Sequence, residues 1–262
     1  MIQAESPCER LPWDSEFFGF EIGRVRTRSL SPEVVEAVDR WSVANGIACL
    51  YFLGDANDSV SIRCAEDYDF RLVDIRTTLA RPISGDEEPV PVPDGATIRL
   101  AVPTDLDPLK AIARSSYHDS RFYFDGRFPV EKCDRLYEIW LEKSFADPTS
   151  AVIVAEWRGN PSGYVTCDRV DAETGQIGLI AASVPGAGLG TTLARSANEW
   201  FRSQGFIKAQ VVTQGRNVRA QAMYQRSGFL TRSVELWYHR WFGGGDTDSA
   251  DSAGNSAPRT TR

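Results

Sequence analysis

A chain of 262 residues, 42% hydrophobic and 25% charged, is long enough to bury one large core or two small ones. Its net charge of -7 argues against nucleic acid or an anionic membrane surface as the main partner, because both select basic faces. Five cysteines without a C-x-x-C pair, and only two histidines, argue for a reducing, cytoplasmic setting and against a protein-built metal site.

The start, MIQAESPCERLPW, has no basic segment followed by an apolar block, so neither export nor membrane insertion is expected. Trp13, Asp14, Phe17 and Phe18 then crowd the approach to a strand, and aromatics this dense normally pack. Residues 20–27 and 47–53 have strand composition. Between them, SPEVVEAVDRWSVANG (31–46) opens with Ser and Pro and spaces its apolar residues as a helix. Residues 72–82 read as another strand. This first block, 1–83, is expected to form a small α/β domain. SGDEEPVPVPDGA (84–96) mixes proline with acids and suits an extended linker.

The second block, 97–242, begins with a strand at 97–101, a helix from near Thr104 and another over 129–145. Strands at 151–157, 162–170 and 175–183 follow, joined as antiparallel hairpins by RGNPSG and DAETG. A helix after 188 places Leu189, Leu193, Ala197 and Trp200 on one face. A strand at 207–213, a helix from Val218 to Ser227 and a final strand pair ending at 235–242 complete it. Residues 243–262 carry no large apolar side chain and are expected to be disordered.

The stretch SVPGAGLGTTL (183–193) sets glycines at 186, 188 and 190, between a strand and a helix. Such clustering lets a backbone turn sharply or admit a close visitor, and a phosphate is the candidate. A P-loop fails because no lysine follows. A dinucleotide loop needs G-x-G-x-x-G, and Thr191 stands at the third glycine position. Downstream, NVRAQAMYQRSGF spaces Asn217, Tyr224, Gly228 and Phe229 as in the GNAT family of acyl-CoA N-acyltransferases. On these two motifs the second block resembles that family. WDSEFFGFEIGRV, SRFYFDGRF, LYEIWLE, IGLIAAS and VVTQGRN extend the resemblance to the WecD type, the dTDP-4-amino-4,6-dideoxyhexose (dTDP-fucosamine) N-acetyltransferases, over nearly the whole chain.

The resemblance implies an α/β (α+β) GNAT fold. Its central sheet is mixed, mostly antiparallel and twisted, splayed between the family's fourth and fifth strands. It implies acetyl-CoA as cosubstrate, no metal, and direct attack by a neutral amine on the thioester. The cofactor site would comprise Leu179, Ile180 and Ala181 on the fourth strand, Gly186, Ala187, Gly188, Leu189, Gly190 and Thr191 in the loop, and Asn217 and Tyr224. A backbone N–H near Ile180 or Ala181 would stabilise the developing oxyanion. Tyr224, protonated at pH 7, would donate to the departing thiolate as general acid, although a helical tyrosine can also simply pack. Asn217 would bond the pantetheine arm or cap its helix. Pro185 stands where the family usually has Gln or Arg, and it removes one phosphate contact.

Acceptor recognition is expected from Tyr117, Arg121, Tyr123 and Gln214, the arginine pairing with a nucleotide phosphate and the tyrosines stacking or forming interblock core. No general base stands out: His118 and Asp119 lie in a polar loop. The leading acceptor is a nucleotide-linked aminosugar. Other small amines, protein amines, or a non-catalytic acyl-CoA-binding module are the alternatives, and a homodimer is left open.

Overall fold

The computed structural model describes residues 6–83, 85 and 90–243. Ten strands form one sheet in the order β1-β2-β3-β10-β4-β9-β8-β7-β6-β5. In chain order they are β1 (Cys8–Arg10), β2 (Ile22–Val25), β3 (Cys49–Asp55), β4 (Arg71–Pro82), β5 (Ala96–Leu100), β6 (Ala151–Trp157), β7 (Asn160–Arg169), β8 (Thr174–Ala182), β9 (Lys208–Gln214) and β10 (Leu230–Trp241). The helices are α1 (Pro12–Phe18), α2 (Pro32–Ala44), α3 (Ser59–Asp67), α4 (Leu106–Arg114), α5 (Arg121–Asp125), α6 (Val130–Ala146), α7 (Leu189–Ser203) and α8 (Val218–Arg226).

Local chemistry accounts for most of these elements. The Ser31 side chain accepts from the Val34 amide and Pro32 opens α2, so the chain starts its helix where the cap is. The turns 158–159 and 170–173 close the β6–β7 and β7–β8 hairpins, both antiparallel. Helix α7 buries Leu193, Ala194, Ala197 and Phe201 completely against β6, β7 and β8. On the other side of the sheet, α4 and α6 bury Leu109, Leu136 and Leu141. Gly175 sits where β8 passes under α7, and a Cβ there would lie 2.3 Å from Phe201 Cδ1. Gly175→Ala is therefore expected to destabilise the fold by about 1–3 kcal/mol through overpacking, read as a lower Tm in calorimetry.

Three features depart from the sequence reading. The last element is one twelve-residue strand, not a strand pair. It is kinked by register shifts at Thr231/Ser233 and at Trp237/Tyr238 and is held between β3 and β4. β4 pairs with it from Leu230 and β3 takes the other edge from Glu235 to Trp241, so it needs no hairpin mate. The aromatic run near the start forms helix α1, whose Gly19 terminates it at φ +83°. Phe18 enters the core, while Trp13 stays at the surface with the Lys143 ammonium 4.0 Å from its ring centroid. Short α3, capped by Asp58, and short α5 lack the long apolar period that identifies a helix from sequence.

Within the linker, residues 90–95 carry no strand or helix. Most of 84–89, and the tail beyond Gly243, lie outside the described residues. All five cysteines are free and buried. Among the described residues no helix is long and apolar enough to cross a membrane.

Candidate active site

The sheet opens where β8 leaves β9. These neighbours pair in parallel from Thr174↔Lys208 to Ile177↔Val211 and no further. Beyond that point β8 continues along β7 alone, to Gly163↔Ala182. The separation begins at an irregularity opposite Val165/Cys167, where Thr166 Oγ1 accepts the Leu179 amide at 2.8 Å. Gly178 makes room for it: a Cβ there would lie 2.6 Å from Thr166 Oγ1 and 2.3 Å from Asp168 Oδ2. Leu179 and, four residues on, Ser183 both direct their amides to β7. Successive amides alternate along a strand, so those of Ile180 and Ala182 face the opening.

The glycine loop follows directly. Gly186 and Gly188 adopt φ of +77° and +76°, and a Cβ at Gly186 would meet nothing within 4 Å. Gly188 is the residue before α7, and no side chain caps that helix, so its first-turn amides remain available to a ligand. Leu189 differs from its neighbours: its side chain is core, and only its backbone borders the loop. Pro93 of the linker lies 3.4 Å from where a Gly188 Cβ would be, and Thr192 Oγ1 donates to the Pro91 carbonyl at 3.2 Å. Gly190 lets α7 approach α8, since a Cβ there would lie 3.0 Å from Met223 Sδ. The loop and the helix carrying Tyr224 are thus direct neighbours.

Beside the opening lies a cleft of about 270 Å³. Tyr224, Asn217, Leu179, Ile180 and Gln214 line it, together with Tyr117 and Arg121 from the other side. Tyr224 is 2% exposed and its ring packs edge-on against Phe229. Burial pushes its phenol well above the usual range, so the group stays protonated. Asn217 Oδ1 accepts the Ala220 amide at 3.0 Å, which makes it the cap of α8. Tyr117 stacks on Tyr137 at 4.4 Å and its hydroxyl shares a 2.9 Å hydrogen bond with that of Tyr164. Arg121 lies over Trp237, Phe122 and Tyr51, with its guanidinium carbon 4.2, 4.4 and 4.9 Å from the ring centroids. Its Nε is buried without a hydrogen-bond partner, as is the Ser120 hydroxyl beside it.

One expected contributor stands apart. The Tyr123 hydroxyl donates to Asp134 Oδ1 at 2.5 Å and is not in the cleft wall. His118, exposed beside Tyr123, and Asp119 also lie off that wall. The other histidine, His239, is fully buried, and burial lowers its pKa to about 4. Its Nδ1–H donates to Asp125 Oδ2 at 2.6 Å, which also accepts from Trp241 Nε1 at 3.1 Å. This neutral imidazole ties α5, and with it Arg121, to β10.

A carboxylate that sequence inspection passed over completes the cleft. Asp74 on β4 is 5% exposed and lines the same cavity as Tyr224. Burial raises its pKa to about 6 against the opposing charge of Arg216, whose Nη1 stands 3.7 Å away. Asp74 sits in an ordinary strand some 150 residues from Tyr224, and nothing in its local sequence marks it. Only the alternation of strand side chains, read once the register was known, could have directed it to this face.

The chain is similar to known proteins in sequence and in fold. The Acetyltransferase (GNAT) family matches residues 114–229, the stretch from the end of α4 to the start of β10. A dTDP-fucosamine acetyltransferase of Escherichia coli is 28% identical over 91% of this chain and 100% of its own. The spore coat polysaccharide biosynthesis protein SpsD of Bacillus subtilis is 25% identical over 54% of this chain and 49% of its own. Among solved structures, a GCN5-related N-acetyltransferase from Sphaerobacter thermophilus superposes with a TM-score of 0.63 at 17% identity, covering 89% of this chain and 76% of that one. With the splayed strands, the glycine turn and the register of Asn217 to Phe229 in place, this chain carries an acetyltransferase domain of the GNAT family, the family that transfers acetyl groups from acetyl-CoA.

Proposed function

We propose that the protein moves acetyl from acetyl-CoA to the amino group of a nucleotide-linked amino-deoxy sugar. The observation that carries this reading is the cleft itself, which faces the buried phenol of Tyr224 with the buried carboxyl of Asp74 and the stacked guanidinium of Arg121. The amides of 186–191 fit the diphosphate of CoA, and the unpaired edge of β8 fits the pantetheine arm as an added strand. Of the two amides expected to hold the oxyanion, Ile180 is the one aimed into the opening.

The acceptor amine attacks the thioester carbonyl and the C–S bond breaks. Tyr224 gives its proton to the sulfur, and Asp74 receives the proton lost from nitrogen. Burial raises the pKa of both groups and keeps the two proton carriers at different acidities. Arg121 faces an anionic group of the acceptor: its cation is stacked on three rings, feels the carboxylates of Asp14 and Asp74 only from a distance, and makes no ion pair within 4 Å among the described residues. The similarity to a dTDP-fucosamine acetyltransferase runs through both blocks, including the strand of Asp74, and supports a sugar-nucleotide acceptor.

The test is an acceptor panel read by thiol release: a dTDP-linked 4-amino-4,6-dideoxyhexose, a UDP-aminosugar, a polyamine and a peptide with a free N-terminus. Turnover of the sugar nucleotides is expected. Acetylation of the peptide or polyamine alone would reject the acceptor, and tight acetyl-CoA binding without any turnover would favour the acyl-CoA-binding module. Acetyl-CoA at 100 times its Kd is expected to add about 2.7 kcal/mol of stability, with NADH adding none.

A further inference from the structure

Trp237 belongs to two cavities at once. On one side it lines the cleft of Asp74 and Arg121. On the other it lines a groove of about 350 Å³ with Leu53, Glu9, Arg24, Arg26 and Arg28. The register puts both on one face of the sheet, with Trp237 between them. Leu53 is opposite Trp237 and Trp237 opposite Asp74, so these three side chains project to the same side from adjacent strands. Two strand spacings separate Leu53 from Asp74, about 10 Å. Arg24 on β2, paired with Tyr51, and Arg26 and Arg28 on the bends that follow the strand line this groove with Leu53.

We propose that this arginine groove is the subsite for the phosphate-bearing end of the acceptor, an extension of the catalytic cleft that rests on the aminosugar reading above. Three guanidiniums face a single lining carboxylate, Glu9, in a chain that is otherwise acidic. Arg24 Nε donates to Glu9 at 2.8 Å and Arg26 stands 3.5 Å from the same residue, while Arg28 pairs with Glu235, which Arg76 also engages. The three arginine side chains are roughly half exposed, at 49, 52 and 57%. Exposed ion pairs hold such groups weakly, and each guanidinium has five N–H donors, so most of their capacity remains for a diphosphate. Arg121, over Trp237, stands at the junction. An amine near Asp74 then places the sugar over β4 and β10, and the phosphates beyond Trp237.

The probe is thymidine diphosphate, titrated calorimetrically into enzyme saturated with CoA, against wild type and the double variant Arg26→Gln/Arg28→Gln. Binding by wild type, weakened at least 10-fold in the variant, is expected, with Arg26→Lys/Arg28→Lys intermediate. In turnover, KM for the sugar nucleotide should rise at least 10-fold, while KM for acetyl-CoA stays within twofold. That second value also shows that the variant is folded and that the lost phosphate contact is not one made to CoA. Arg158→Gln, in the β6–β7 turn at the opposite end of the sheet from β2, should change neither affinity. The subsite is overturned if wild type does not bind thymidine diphosphate, if the double variant binds it equally, or if only the acetyl-CoA KM moves. The acceptor panel fails separately: enzyme that binds thymidine diphosphate through these arginines yet acetylates no sugar nucleotide keeps the subsite and loses the aminosugar assignment.

Discussion

Tyr224→Phe is expected to lower kcat by about 10²–10⁴-fold, the range typical of a lost general acid, with little change in KM for acetyl-CoA. The substitution isolates the phenol because the ring's other role survives it. Tyr224 packs edge-on against Phe229 inside the core beneath α7 and α8, and a phenylalanine fills that space equally. If Tyr224 served packing alone, Phe would be silent in kcat. Burial holds the wild-type phenol protonated well beyond neutral pH, so no descending limb from Tyr224 is expected in the working range. Single-turnover kinetics would check that the loss lies in chemistry and not in CoA release.

Asp74→Asn is expected to remove the ascending limb of the kcat/KM profile, which in wild type should be centred near the raised pKa of about 6, and to lower activity above that pH by about 10²-fold or more. The sign of the stability effect is opposite. A carboxyl whose folded pKa lies above its unfolded value binds its proton more tightly in the fold. Its contribution is fully present below pH 4 and is lost as pH rises through 6. An amide has no charge to bury, so Asp74→Asn should be more stable than wild type at pH 7–8, by about 1–3 kcal/mol. Urea denaturation at pH 4 and pH 8 measures both ends: the variant's advantage should appear only at the higher pH. A less active but more stable variant is what a buried catalytic carboxylate gives, whereas a merely structural one would lose stability on substitution.

The half of the site proposed to take the cofactor was legible in the sequence because it is built from neighbours in the chain. A turn that needs φ near +77° at Gly186 and Gly188, followed at once by an uncapped helix, is a local device whose residues cannot be far apart. Asn217, Tyr224, Gly228 and Phe229 likewise occupy one helix and its exit, so their spacing survives as a readable register. The hairpins and amphipathic helices were legible for the same reason, periodicity being a property of short segments. The acceptor half was not. Arg121 could be named as a cation, but its stack on Tyr51 and Trp237 joins residues from three separated elements.

What the sequence determined by itself was therefore a pair of local devices, a glycine turn ahead of a helix and a phenol one helix away, to which the proposed function assigns the donor. The tertiary structure decided which residues meet on the side proposed for the acceptor. It set the last strand between β3 and β4, and by doing so put Trp237 between Leu53 and Asp74. Strand pairing over such separations follows from the burial of whole faces and the satisfaction of both edges, which no short window of sequence contains.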